Sequence, residues 1–152
     1  MKNMFYEDFE IGQKYMTRTR YISGSEIQLI VGMMGATNPL FLSEEIAKSK
    51  GYEGMISPGV LISAYAFGLE YQTGIYDKII GLVGVEEKIS APLLHDAPLR
   101  SELEVIFKRE TKNTGRGIVV FQRRCYSGEK ELTESKLTFL YLRKDDKKVV
   151  SI

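Results

Sequence analysis

The sequence predicts an α+β fold in which a curved antiparallel sheet wraps one long central helix. Three observations predict it: segment 58–72 is apolar on every side, four later segments are β-rich with three of them alternating, and helical patterning precedes strand patterning along the chain.

In order, a strand is expected near residues 14–22. Ser23 precedes Glu26 at capping-box spacing, and Ile27, Ile30, Val31 and Met34 recur behind it at helical intervals. Gly35 should end that helix. Asn38–Pro39 then turns the chain, because a residue before proline is pushed out of the α region. Ser43 caps a short helix from Glu44 to about Ser49, which Gly51 closes. Pro58 stands where a first helical turn tolerates proline.

From Pro58 to about Gln72 runs PGVLISAYAFGLEYQ, with no charge before Glu70. Val60, Leu61, Ile62, Ala64, Tyr65, Ala66, Phe67 and Leu69 point all round this helix, and a helix apolar all round is a buried one. Something must wrap it. Segments 79–91, 101–109, 118–126 and 133–142 are β-rich and supply the wrapper. Leu103/Val105/Phe107, Ile118/Val120 and Leu137/Phe139/Tyr141 alternate with polar neighbours. Hairpin turns are expected at Asn113–Gly115 and at Ser127–Gly128. With the first strand this makes about five antiparallel strands. Their exposed edges would be covered by a second subunit, so a dimer is expected.

Composition bounds the function. The 152 residues, 43% of them apolar and sixteen of them Tyr or Phe, suit one domain over 1–152, with 143–152 a polar tail. A net charge of +1, from 21 basic and 20 acidic residues, gives no global field for nucleic acid or an acidic membrane. One Cys forms no internal disulfide, and one Cys with one His builds none of the common Cys/His zinc sites. The N-terminus has no signal-peptide pattern, and the longest weakly charged stretch is too short and too broken by Pro and Gly to span a bilayer. We read a cytoplasmic, metal-free chain with no cofactor motif.

Tyr6-Glu-Asp-Phe9-Glu-Ile-Gly12, then GATNPLFLSEEIAKSKGYEGMISPGVL from Gly35 to Leu61, then Lys88-Ile-Ser-Ala-Pro92-Leu-Leu-His-Asp96, form a series of blocks. Together they resemble the MaoC-like family of R-specific enoyl-CoA hydratases and dehydratases. The likeness runs from Tyr6 to about Leu142 and implies a hot-dog fold acting on acyl thioesters such as acyl-CoA.

The resemblance also implies what is missing. In the family an Asp and a His five residues apart handle the protons of water addition. Matched on Asn38-Pro39-Leu40, Ala36 stands at the Asp position and Phe41 at the His position, and Ser43 replaces a further Asp. Neither Ala36 nor Phe41 transfers a proton, and Phe41 is expected to be largely buried. Gly59 matches the family glycine whose N–H meets the thioester carbonyl, which suits a helix start. It also suits the residue that simply follows Pro58. Asn38 and Pro58 would shape the site, and the acyl chain would pass Ile62 and Phe67.

Other candidates are His95, the only histidine, beside Asp96 near a strand end, as a relocated acid–base pair. Glu44 and Glu45 suit a helix start electrostatically. Cys125 reads as a packed strand residue. Arg123-Arg124 and Lys147-Lys148 read as exposed basic pairs that could touch a CoA phosphate. Three functions follow. The first is an acyl-thioester-binding subunit that has lost its catalytic groups and pairs with a competent homologue. The second is a hydratase, dehydratase or thioesterase with relocated groups drawn from His95, Asp96, Glu44 or Glu45. The third is a homodimeric acyl-CoA-binding protein.

Overall fold

The structure, a computed structural model, describes residues 4–112 and 115–144. Six strands and three α-helices form among them: β1 (Lys14–Met16), β2 (Arg20–Ile22), α1 (Gly24–Met34), α2 (Glu44–Ser49), α3 (Gly59–Tyr71), β3 (Ile79–Ile89), β4 (Ala97–Glu110), β5 (Arg116–Ser127) and β6 (Lys130–Leu142). All pairings are antiparallel, in the order β1-β4-β5-β6-β3, with β2 also on β4. This is the hot-dog arrangement, a long-stranded sheet packed on α3.

The expected single strand over 14–22 is two short strands, so the sheet has six members and not five. Tyr15 pairs with Leu103 and Tyr21 with Pro98, so both pieces lie along β4. Between them Thr17 hydroxyl accepts from the Ser101 N–H at 2.9 Å and holds the bend.

The helix signals act as read. Ser23 accepts from the Glu26 N–H at 3.2 Å, and Gly35 closes α1 at φ +68°, a left-handed conformation open to glycine. Ser43 accepts from the Ile46 N–H and caps α2. Only Ile27 and Val31 of the α1 stripe are buried; Ile30 is half-buried and Met34 exposed. Pro58 is the residue before α3 and not a member of its first turn.

Two corrections concern which way residues face. Helix α3 is not enclosed all round: Leu61, Ile62, Ala66, Leu69 and Glu70 are buried, but Val60 is 61% exposed and Ala64 and Tyr71 are exposed too. One sheet covers one side of the helix, and the bare side lies by β3, which pairs only with β6. In β4, Phe107 is 46% exposed, not inward like Leu103 and Val105. A bulge between Val105 and Phe107 inserts a residue and reverses the alternation. Across from it, Val119 and Val120 are both buried, while Ile118 is only half-buried.

The core has two halves. Tyr6, Phe9, Tyr76, Phe121, Phe139 and Tyr141 build an aromatic half, with edge-to-face contacts such as Phe9 on Tyr141 at 4.8 Å. Ile22, Ile27, Val31, Ile62, Leu93 and Leu99 build an aliphatic half around α1. Gly117 lets the Tyr6 ring lie on β5, since a Cβ there would fall 2.2 Å from it. The Ser127–Gly128 hairpin forms, with Gly128 at φ +59°. Asn113 of the other expected turn, and most of tail 143–152, lie outside the described residues.

Candidate functional site

The turn that precedes α2 is built by short local bonds. Asn38 Oδ1 accepts from the Leu40 N–H at 3.0 Å, and Pro39–Phe41 make a single 3₁₀ turn that Ser43 N–H closes onto the Pro39 carbonyl at 2.9 Å. The Ile56 N–H donates to Leu40 O at 3.2 Å, tying this turn to the loop before α3. Ala36 is half-buried, and so is Phe41, which leans on the aliphatic core. The expected deep burial of Phe41 is therefore not reached, because the turn sits at the edge of that core. No proton-transfer group stands at either position.

Gly59 opens α3, where the first N–H groups have no intrahelical acceptor. A Cβ on Gly59 would come within 2.7 Å of Ile89 Cδ1. The glycine thus admits close approach of β3 to the helix start. Of the two residues expected along an acyl path, Phe67 lines a groove beside α3, but Ile62 is fully buried within the aliphatic core.

His95 and Asp96 lie in the turn from β3 to β4, beside the start of α1. Asp96 adopts φ +59° and its carboxylate accepts from the Gly24 N–H at 2.9 Å. Both His95 ring nitrogens are buried without a hydrogen-bond partner. Burial holds the imidazole below its ordinary value, opposed by the Asp96 charge. Asp96 is thus engaged with a helix start. Glu44 and Glu45 occupy the first turn of α2, and Glu44 pairs with Lys48 at 2.6 Å. Cys125 is buried, its thiol pushed up by burial, as a packed residue should be.

Arg123 is the main correction. It is not half of an exposed basic pair: it is 2% exposed, whereas Arg124 points out and bonds Glu134 at 2.8 Å. Arg123 Nη2 donates to Glu87 Oε2 at 2.8 Å, Ser63 Oγ at 2.5 Å and Ser135 Oγ at 3.2 Å. Ser63 and Ser135 hydroxyls donate in turn to the same Glu87 oxygen. On its other side Arg123 Nη1 lies 3.8 Å from Glu70, which is fully buried and also accepts from Tyr76 Oη at 2.8 Å and from Ser101 Oγ.

Two carboxylates thus share one guanidinium beneath α3. Burial raises the Glu70 carboxyl above the usual range, opposed by Arg123 and by the Ser101 and Tyr76 hydroxyls. Burial and the Glu70 charge push the Tyr76 phenol well up. The seam can donate and accept hydrogen bonds in a dry setting, which the Ala36–Phe41 turn cannot. Sequence reading missed Ser63, Glu70, Glu87 and Ser135. One available signal was that Arg123 shares its strand face with Phe121 and Cys125.

Among the described residues no helix is long and apolar enough to cross a membrane. No family model and no curated protein matches the sequence. Solved structures do match. A MaoC-like dehydratase from Rhodospirillum rubrum is 21% identical, covers 93% of this chain and 98% of its own, and superposes with a TM-score of 0.82. The (R)-hydratase of A. caviae involved in PHA biosynthesis is 21% identical over 88% of this chain and 97% of its own, at 0.73. The C-terminally truncated HadBC complex of Mycobacterium tuberculosis, a 3R-hydroxyacyl-ACP dehydratase, is 19% identical over 86% and 96%, at 0.72. The likeness is one of fold: this chain has the hot-dog architecture of MaoC-like dehydratases and R-hydratases.

Proposed function

We propose that this chain is an acyl-thioester-binding protein of the MaoC-like enoyl-CoA hydratase/3-hydroxyacyl dehydratase kind, lacking the usual catalytic pair and working beside a competent homologue. One observation carries the reading. The fold is shared over most of the chain, and the resemblance, matched on Asn38-Pro39-Leu40, supports a retained turn and Pro58-Gly59 helix start with Ala36 and Phe41 at the proton-transfer positions. General acid–base groups contribute about 10²–10⁴-fold each, so the loss of both leaves little hydration chemistry.

The relocated reading has less material. Asp96 is occupied with Gly24 and Glu44 with Lys48. The pairing half of the proposal rests on β3. Its free edge, the exposed Val83 and Val85 on that strand and the exposed Val60 on α3 offer apolar surface that would suit a second hot-dog chain. HadBC, of the same fold, is a complex by name. In this reading Gly59 N–H meets the thioester carbonyl, CoA or a carrier protein bears the acyl group, and the protein works in the cytoplasm.

Co-expression with a hot-dog homologue that keeps the Asp and His tests it. The chain alone should turn over trans-2-enoyl-CoA far below the ordinary enzyme range of about 1–10³ s⁻¹. A stable complex should form, and the homologue's dehydratase rate should rise when this chain is added. A homodimer that leaves every homologue's rate unchanged would sink the pairing.

A further inference from the structure

Helix α3 lies beside strand β3, and two pairs of residues and an apolar group meet in turn along them. Gly59 approaches Ile89 at the helix start. One helical turn on, Ser63 bonds Glu87, which Arg123 also holds. Beyond that, Ala64 and Phe67 face Leu82, Val85 and Leu137 across a groove of about 220 Å³ that is apolar except for Ser63 and Arg123. The register agrees: Glu87 and Arg123 both pair with Ser135, while Val85 pairs with Leu137. A polar step thus stands between the helix start and an apolar groove.

That polar step is only partly satisfied. Ser63, Ser135 and Arg123 all bond Glu87 Oε2, so Oε1 takes none of these bonds. The Nε–H of Arg123, itself 98% withdrawn from solvent, has no partner although the residue lines the groove. Glu87 keeps 14% of its side chain exposed. Glu87 Oε1 is free to accept and the buried Arg123 Nε–H lacks an acceptor, and a hydroxyl can serve both. A plain alkyl chain laid over them would strip the remaining hydration from Glu87 and return nothing.

We infer that the α3–β3 groove is a hydroxyl-recognising subsite, in which Glu87 and Arg123 hold an oxygen substituent in the middle of an apolar chain. Its place on that chain rests on the acyl-thioester reading. Ser63 lies four residues past Gly59, about 6 Å along the helix axis at 1.5 Å per residue. With the thioester carbonyl at Gly59, the substituent falls about four carbons beyond the carbonyl, past the β-carbon, with an alkyl end in the groove.

The test uses the full chain and two probe sets. In the first, octanoyl-CoA, 3-hydroxyoctanoyl-CoA and 5-hydroxyoctanoyl-CoA are titrated calorimetrically. The 5-hydroxy thioester should bind at least about tenfold tighter than octanoyl-CoA, the scale of one hydrogen bond to a charged group. Glu87→Gln should shrink that preference. Equal affinities, or a best fit for the 3-hydroxy compound, would overturn the position assigned.

The second set needs neither a thioester nor a variant. 1-Hexanol and dipropyl ether have the same composition, but only the alcohol donates. The alcohol should shift the Leu82, Val85 and Leu137 methyl resonances at several-fold lower concentration. If no thioester binds while the alcohol is still preferred, the function proposed above fails and the hydroxyl subsite stands. If alcohol and ether shift those methyls alike, the subsite is refuted whatever the thioesters do.

Discussion

Around Asn38 the chain is exposed and held by bonds between residues two to four apart, as Leu40 N–H to Asn38 and Ser43 N–H to Pro39. Around Arg123 it is dry, and the partners are far apart in sequence: 60 residues from Ser63 to Arg123, 24 from Ser63 to Glu87. The first region takes most of its shape from Asn38, Pro39 and Ser43, with one longer tie from the Ile56 N–H to Leu40 O. Such a turn holds its shape with Ala36 and Phe41 in it, two side chains without acid–base chemistry. The second cannot give up a member so freely, because each charge is compensated only by the others. Geometry and chemistry are separable in the turn and inseparable in the seam.

The largest effect that could break this contrast is on stability. Arg123→Ala leaves Glu70 and Glu87 in the interior without their cation, and should cost about 3–5 kcal/mol, the range for removing one partner of a buried pair. Arg124→Ala, one residue away but on the solvent side, should change stability by less than about 0.5 kcal/mol. Urea unfolding midpoints of the two variants check this. Similar losses would mean that the seam is not the fixed point described.

Next in size is a restoration. If the turn kept its shape and lost only its proton-handling groups, Ala36→Asp with Phe41→His should raise trans-2-enoyl-CoA hydration by about 10²-fold or more. The assay is the loss of enoyl-thioester absorbance. No gain in a folded double variant would show that the turn, too, has lost its geometry.

The smallest effect concerns pH and sharpens the case of His95. Its folded pKa lies below the ordinary 6.5, so the unfolded chain takes up the proton more readily. The contribution of a neutral His95 is complete above about pH 6.5 and falls away as pH drops toward the folded value. Glu70 acts in the opposite sense: its raised carboxyl makes the fold gain as pH falls. The comparison is therefore between the parent chain and His95→Gln, by melting temperature from pH 7.5 to 5. The parent should lose more than the variant, and parallel curves would mean that His95 is not held neutral.

The sequence by itself determined what depends on neighbours in the chain. Ser23, Ser43 and Gly35 mark helix ends because capping involves residues a few positions away. The apolar run before Glu70 marks the central helix, and Leu137, Phe139 and Tyr141 show their buried face by simple alternation. Ala36 and Phe41 were legible as residues without acid–base chemistry, since that is a matter of side-chain type. What only the tertiary structure decided is direction. A bulge beside Val105 turned Phe107 outward, and the inward face of β5 carried Arg123 with it. A run RR looks like surface charge because burying a cation is costly unless it is paired. The carboxylates that pair it, Glu70 on α3 and Glu87 on β3, come from elements that meet only after the sheet has closed on the helix.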